Sequence, residues 1–424
     1  MSDKSDNNIS EQRSVKKVFI VHASVGSGHK TAAEAVEYAL QHLKEVDVRY
    51  KNCDCDVSVF DILDFGRIVF DGNAVASSFT GATRPYYDFT WRYTFTGHLL
   101  WGGGTCFSRV MFPKFTQLVR AERPDAIVCT HITGANAAVG AKLITKQNFP
   151  IICVPTDYEV EGLWPHKYTD LFCVANEQMA ETLRARKIKD TRIKITGMPA
   201  SPIFREIPDK EACVEEFDLP ADKTNVLVLA GASLPRPYVQ LRKVINSTLQ
   251  YAHRFENLYF SIVVGKDKEY KAELKSLIEQ HALKNVRIFG FVEEMAKLMN
   301  ASDVVVCKPG GMTVTECLCS SVPMILTCRA YGQEKANVKM LTAFGAAVHV
   351  TTPRELLDTL DLVDKDKNVL SGIKRSACVI RRPNASIDIA RLTMKLIRGG
   401  DVSERRKRKH FLTLYWGKKP AHPR

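Results

Sequence analysis

The stretch VKKVFIVHASVGSGHKTAAEAVEYALQHL, residues 15–43, decides the fold. Val15–Ala23 is a short apolar run of the kind a strand buried on both faces carries. Ser24–Lys30 (SVGSGHK) interrupts it with two glycines, and from Thr31 to Leu43 the apolar residues return at helical spacing. A buried strand, a glycine loop and a helix form the opening unit of an α/β sheet.

The unit recurs along the chain. Val57–Ile62, Ala126–Thr130, Ile151–Pro155, Leu171–Ala175 and Ile193–Thr196 read as further strands, with helical patterns at Gly134–Lys146 and Glu177–Arg186. Gly197–Pro202 (GMPASP) is a break and the expected hinge. A second series follows: Val226–Ala230, Tyr259–Val264, Val286–Phe289, Val304–Cys307, Met324–Leu326 and Ala346–Val350, with helical stretches such as Lys268–His281 between them. Two alternating series predict an α/β protein of two Rossmann-like domains, each a parallel sheet covered by helices. The expected boundaries are a disordered start at 1–14, a first domain at 15–200, a second at 201–398 and a basic tail at 399–424. Ligands of such folds bind beyond the carboxyl ends of the strands, here in the cleft between the halves.

The chain has 424 residues and a formal net charge of +13, which suits an anionic partner. More than half of that excess lies in the last 27 residues, where nine Lys/Arg face only Asp401 and Glu404. The twelve cysteines show no CxxC pair or framework spacing, which fits a reduced, cytoplasmic protein. No apolar run reaches the roughly 18 residues a spanning helix needs, so nothing is expected to cross a membrane.

Three segments carry chemistry. Gly26-Ser27-Gly28-His29 sits between strand and helix: its glycines admit a ligand close to the backbone, and His29 at the cleft mouth suits proton abstraction from a hydroxyl. The same residues would equally serve as a plain turn and cap. Lys308–Thr313 (KPGGMT) with Glu316 reads either as a capping box of Thr313 and Glu316 or as a diphosphate loop. In the latter case the Gly311, Met312 and Thr313 amides hold the phosphates and Glu316 accepts from a ribose diol. Gln333, Glu334 and Asn337 gather amides and a carboxylate at a helix start, suited to sugar hydroxyls or merely to solvent.

Taken in order, these segments resemble glycosyltransferase family 28, in particular its branch of monogalactosyldiacylglycerol synthases and processive diacylglycerol glucosyltransferases. VFIVHASVGSGHKTAAEAV is similar to the family's amino-terminal loop, KPGGMTVTECLCSSVPMI with GQEKANVKML to its donor signature, and PTDYEVEGLW with ITGMPASPIF to the run before its linker. The resemblance implies a GT-B architecture and an inverting transfer from a UDP-sugar to a membrane lipid acceptor such as diacylglycerol, with no cofactor and no metal. It implies His29 as base, Gly26 and Gly28 beside the nucleotide, and Phe291 and Val292 around the uracil. Thr156, Asp157 and Trp164 fall on the acceptor side, and Gln333, Glu334 and Asn337 at the sugar. The usual glycine-rich turn after the first strand of the donor domain here reads GASLPR, residues 231–236, where Ser233 and Arg236 would substitute as phosphate contacts. Glu161 stands where the lipid branch carries a histidine. A related transferase that adds N-acetylglucosamine to a lipid precursor, a UDP-N-acetylglucosamine 2-epimerase and a non-catalytic nucleotide-sugar binder are the alternative readings.

A lipid acceptor requires contact with a bilayer. Residues 65–115 hold Tyr86, Tyr87, Phe89, Trp91, Tyr93, Phe95, Trp101 and Phe107 among Arg84, Arg92 and Arg109, a mixture suited to the headgroup region or to an aromatic core. In the tail, Arg405–Lys409 precedes Phe411, Leu412, Leu414, Tyr415 and Trp416. At about 1 kcal/mol per basic residue, such a run holds to an anionic membrane surface. A peripheral protein at the cytoplasmic face is therefore expected, with no nucleic acid as partner, although a basic tail also suits one.

Overall fold

The computed structural model describes residues 15–67, 110–205, 209–231, 237–330 and 332–399. The aromatic residues from Tyr86 to Phe107, the basic tail, and Ser233 and Arg236 lie outside the described residues.

The first sheet holds β1 (Lys16–His22), β2 (Cys55–Asp61), β3 (Ala126–Cys129), β4 (Ile151–Cys153), β5 (Leu171–Val174) and β6 (Ile193–Ile195), in the order β2-β1-β3-β4-β5-β6. The second holds β7 (Thr224–Leu229), β8 (Leu258–Val263), β9 (Val286–Phe289), β10 (Val304–Cys307), β11 (Met324–Thr327) and β12 (Ala347–Val350), in the order β12-β11-β10-β7-β8-β9. Every pairing is parallel. Parallel strands cannot be joined by tight hairpins, so the connections return over the sheet faces, mostly as helices. This is why the central strands are apolar without alternation: Ala126–Cys129 and Val304–Cys307 are buried along their whole length.

Each sheet has one place where the winding direction reverses. In the first it falls between β1 and β3, in the second between β7 and β10. Loops leaving such neighbouring strands part to opposite faces and open a crevice at the strands' carboxyl ends. The loop carrying Gly26–His29 follows β1, and the Lys308–Gly310 loop follows β10. Both motifs thus stand where the topology leaves room for a ligand.

The expected extent of the second domain, 201–398, needs correction. The chain crosses from the first domain near Gly197 and returns after the Val369–Ile380 helix, so that the Ala385–Ile397 helix packs on the first domain. Ile387, Ile389, Ala390 and Met394 join Val18, Ile20, Val36 and Leu40 in one core. Arg391 Nε donates to Asp47 Oδ2 at 2.7 Å, and Tyr50 donates to the Arg391 carbonyl at 3.2 Å. At the crossing Gly197 has φ +91°, and a Cβ there would collide with the Arg382 side chain. Cys53 and Cys55 border the same helix: Cys53 receives Arg398 Nη2 at 2.7 Å, and Cys55 meets Met394 at 3.4 Å.

Removing a fully buried aliphatic side chain costs about 2–5 kcal/mol. Ile389→Ala is expected to lose that much, read by urea denaturation of the whole chain. A loss under about 0.5 kcal/mol would show that the helix is not docked.

Candidate active site

His29 occupies the first turn of the Gly28–Gln41 helix. Its Nδ1 lies 3.1 Å from the Thr130 carbonyl oxygen and 2.8 Å from Thr156 Oγ1, while Thr130 Oγ1 donates to the His29 carbonyl at 2.9 Å. A carbonyl only accepts, so Nδ1 carries the proton and Nε2 keeps its lone pair. Burial pushes the imidazole down to about 4, against the Thr130 bond, with nearby His22 adding to the depression. His29 is therefore neutral at pH 7, with Nε2 unprotonated, and is oriented by neutral groups rather than by a carboxylate.

Two further histidines adjoin it. The His131 ring meets His29 edge-on, centroids 4.5 Å apart. Its Nδ1 accepts from the Thr133 amide at 3.1 Å and caps the Ile132–Thr145 helix, so His131 is the opposite tautomer. Burial holds His131 well below the usual histidine range and lowers His22 as well. The readings above missed Thr130, His131 and His22. The signal was the position of Thr130-His131 directly after β3, on the other side of the switch point from His29.

Across the cleft, the helix Gly311–Cys319 begins three residues earlier than a cap at Thr313 would set it. Its N-cap is Gly310, at φ −75° and ψ 135°, and no side chain caps it. The capping-box reading of Thr313 and Glu316 therefore fails: extended backbone at Gly310 starts the helix, which leaves Thr313 inside its first turn. The Gly311, Met312 and Thr313 amides make no hydrogen bond among the described residues. Free amides at the positive end of a helix fit an anion. Glu316, one turn on, has no hydrogen-bond or salt-bridge partner among the described residues, and burial alone pushes its carboxyl up to about 7. A half-buried carboxylate without a partner fits a donor that arrives with a ligand.

Beyond β9, Phe291 is 64% exposed with Lys266 Nζ 5.1 Å from its ring centre, and Val292 is half-buried beside it. An aromatic face this open suits stacking by a base.

The sugar-reading and acceptor residues are placed less uniformly. Gln333 is the N-cap of the Glu334–Ala343 helix, and Glu334 pairs with Lys308 at 3.2 Å. Asn337 is wholly buried and bonds across the domain seam to Asp157. Burial pushes the Asp157 carboxyl up to about 7, against hydrogen bonds from Asn337 and Gln333. Thr156 touches His29. Trp164 is 4% exposed and buried in the apolar core cluster that runs through both domains. Glu161 receives Arg186 Nη1 on its carbonyl at 3.0 Å. Gly28 brings the two domains together, since a Cβ there would lie 3.3 Å from Met312 Cγ.

Two doubly wound domains with a histidine on one wall and an uncapped helix start on the other have the GT-B architecture. Residues 29–200 match the family model of monogalactosyldiacylglycerol (MGDG) synthase, and residues 225–377 match that of the glycosyltransferase family 28 C-terminal domain. The chain belongs to glycosyltransferase family 28. Among curated relatives, a processive diacylglycerol β-glucosyltransferase of Bacillus licheniformis is 28% identical over 64% of this chain and 69% of its own length. One of Staphylococcus epidermidis is 25% identical over 84% and 86%. Of the solved structures, MurG of Acinetobacter baumannii superposes with a TM-score of 0.56 at 17% identity, over 90% of this chain and 99% of that one. UDP-GlcNAc 2-epimerase of Neisseria meningitidis gives 0.56 at 12% identity, over 89% and 100%. These structural likenesses establish the fold, which transferases and epimerases share. Membership of the transferase family rests on the sequence models.

Proposed function

We propose that this protein transfers a hexose, glucose or galactose, from a UDP-sugar to diacylglycerol or a closely related membrane lipid, with inversion at the anomeric carbon. The observation that carries the reading is one juxtaposition. A neutral imidazole faces, across the Gly28–Met312 contact, a helix start whose three amides and nearby carboxylate, like His29 Nε2, have no partner among the described residues. The relatives named as diacylglycerol glucosyltransferases supply the acceptor class.

In this reading the acceptor hydroxyl enters from the first domain, beside Thr156. Its oxygen attacks the anomeric carbon while His29 Nε2 takes its proton. The bond from that carbon to the β-phosphate oxygen breaks, and the charge gathering on UDP is received by the Gly311, Met312 and Thr313 amides. Glu316 accepts from the ribose hydroxyls and Phe291 stacks on the uracil. The step uses no metal and no cofactor, because amides and helix dipole take the charge. Attack opposite the leaving group inverts the centre.

No described helix is long and apolar enough to cross a membrane. We place the protein at the cytoplasmic face of an anionic membrane, held peripherally by its aromatic segment and basic tail, with no nucleic acid as partner. The test is product stereochemistry. Incubated with UDP-glucose or UDP-galactose and diacylglycerol vesicles, the protein is expected to yield a β-glycolipid from the α-linked donor by proton NMR. An α-linked product would contradict the single displacement.

A further inference from the structure

The domain seam beside the donor loop is held by a small set of hydrogen bonds that converge on Asn337. Its Nδ2 donates to Asp157 Oδ1 at 3.1 Å and to the Pro309 carbonyl at 2.9 Å, while its Oδ1 accepts from the Tyr158 amide at 2.9 Å. The orientation of the amide is fixed by its partners: a backbone N–H must meet oxygen, and a carbonyl must meet N–H. Both Nδ2 hydrogens are therefore engaged, and the residue is 0% exposed. A sugar hydroxyl seeking a donor would find none here.

The three segments that Asn337 joins are informative. Asp157 and Tyr158 follow β4 in the first domain, Pro309 lies in the loop before the phosphate-binding helix, and Asn337 rides on the next helix of the second domain. Tyr158 adds a contact of its own hydroxyl to Thr315 Oγ1 at 3.3 Å. The approach is close enough that Gly311 is obligatory, since a Cβ there would collide with the Thr156 carbonyl and lie 2.8 Å from Asp157 Oδ1. The seam is polar around Asn337, while one apolar core cluster runs through both domains. A cavity of about 210 Å³ lies directly outside it, between Tyr158 and Glu159 on one side and Lys335, Ala336 and Lys339 on the other. A polar patch between domains that the described chain joins at two crossings is a place where such domains part and meet.

We propose that Asn337 and Asp157 form the latch that closes the two domains over the donor, and that Asn337 is a positioning residue rather than a contact to the sugar. The inference rests on the donor site assigned above, but on neither the acceptor nor the sugar. In the open state Asn337 and Asp157 are solvated separately. On closing, their bond draws the Thr156–Tyr158 segment onto Gly311, and the bond to Pro309 ties that movement to the shape of the diphosphate loop. His29, bonded to Thr156, is carried with the segment.

The two roles are separable by experiment. A latch acts on every donor alike, whereas a sugar contact discriminates between donors. Asn337→Ala is expected to lower kcat/KM for UDP-glucose and UDP-galactose by the same factor, about 10 to 100, the loss of the buried hydrogen bonds to Asp157 and the Pro309 carbonyl. Small-angle scattering of the full chain with UDP alone is expected to show a larger radius of gyration than wild type. Asp157→Ala, which removes the partner instead, is expected to do the same. If either variant changed the ratio of the two donors while keeping wild-type compaction with UDP, Asn337 would be a sugar reader and the latch is overturned. Compaction and donor ratio both unchanged in folded variants overturn it as well. Because the scattering uses UDP and no lipid, a wrong acceptor assignment leaves its outcome unaffected.

Discussion

His29→Ala is expected to lower kcat by about 10²- to 10⁴-fold, the usual contribution of a positioned general base, while UDP affinity stays within about twofold of wild type. The split follows from geometry. His29 Nδ1 is held by Thr130 and Thr156, both in the first domain, whereas the amides, carboxylate and aromatic ring assigned to UDP lie in the second, with only the backbone of Gly26 and Gly28 beside the nucleotide in the first. Steady-state rates at saturating donor, with UDP titration by calorimetry, read both quantities. A variant that folds normally and turns over at the wild-type rate would remove His29 from the chemistry. A large loss of UDP affinity would move it to the donor site.

The protonation of His29 supplies a second check. The folded protein holds this imidazole near 4, below its ordinary 6.5, because burial disfavours the cation. A general base must be unprotonated, so the competent form is fully present above about pH 5 and is lost only as pH falls through about 4. In the ligand-free protein, the His29 ring carbon observed by NMR is expected to show no titration between pH 8 and 5.5. Titration centred near 6.5 would mean a solvated ring, without the orientation that the Thr130 bond provides.

Glu316→Ala is expected to weaken UDP binding by roughly 10- to 100-fold, since hydrogen bonds to a charged group contribute about 1.5–3 kcal/mol. The wild-type carboxylate has no partner among the described residues, so its removal breaks no internal bond and disturbs the fold little. The control is the 2′-deoxy nucleotide. Wild type should bind 2′-deoxy-UDP more weakly than UDP, and the variant should barely distinguish the two. Equal affinity of wild type and variant for UDP, measured by calorimetry, removes the ribose assignment. The near-neutral carboxyl adds a pH signature: ionisation above about 7 strengthens it as an acceptor, so the wild-type preference for the ribose diol should grow between pH 6 and 8.

The strands were legible because a parallel sheet buried on both faces leaves no alternation to misread. Ala126–Cys129 and Val304–Cys307 are apolar throughout and bounded by polar residues and glycine, so their limits fall within a residue of the expected ones. The helix start at Gly311 was less legible. A Thr–Glu spacing has a local meaning, the capping box, and the sequence carries no mark that Gly310 takes the extended backbone first. Trp164 and Asn337 show a different limit. Residue type says what a side chain is able to do, but whether it points into a cleft or into a core is decided by packing between distant segments. Asn337 looked free to read a sugar because the Asp157 and Tyr158 that engage it are some 180 residues away. The final helix was missed for the same reason: its apolar face matches a surface of the first domain, not of the domain that precedes it in sequence. The histidine cluster was within reach, since Thr130-His131 follows a strand as directly as the glycine loop does.

Transfer of a sugar to a lipid frees UDP, so UDP release is the reading to take. Full-length protein is given UDP-glucose, UDP-galactose or UDP-N-acetylglucosamine, with anionic vesicles that contain or lack diacylglycerol. Release is expected with one of the two hexose donors, dependent on diacylglycerol, with a matching glycolipid by mass spectrometry. Measurable UDP binding without release from any donor, or release that ignores the lipid, would contradict that transfer.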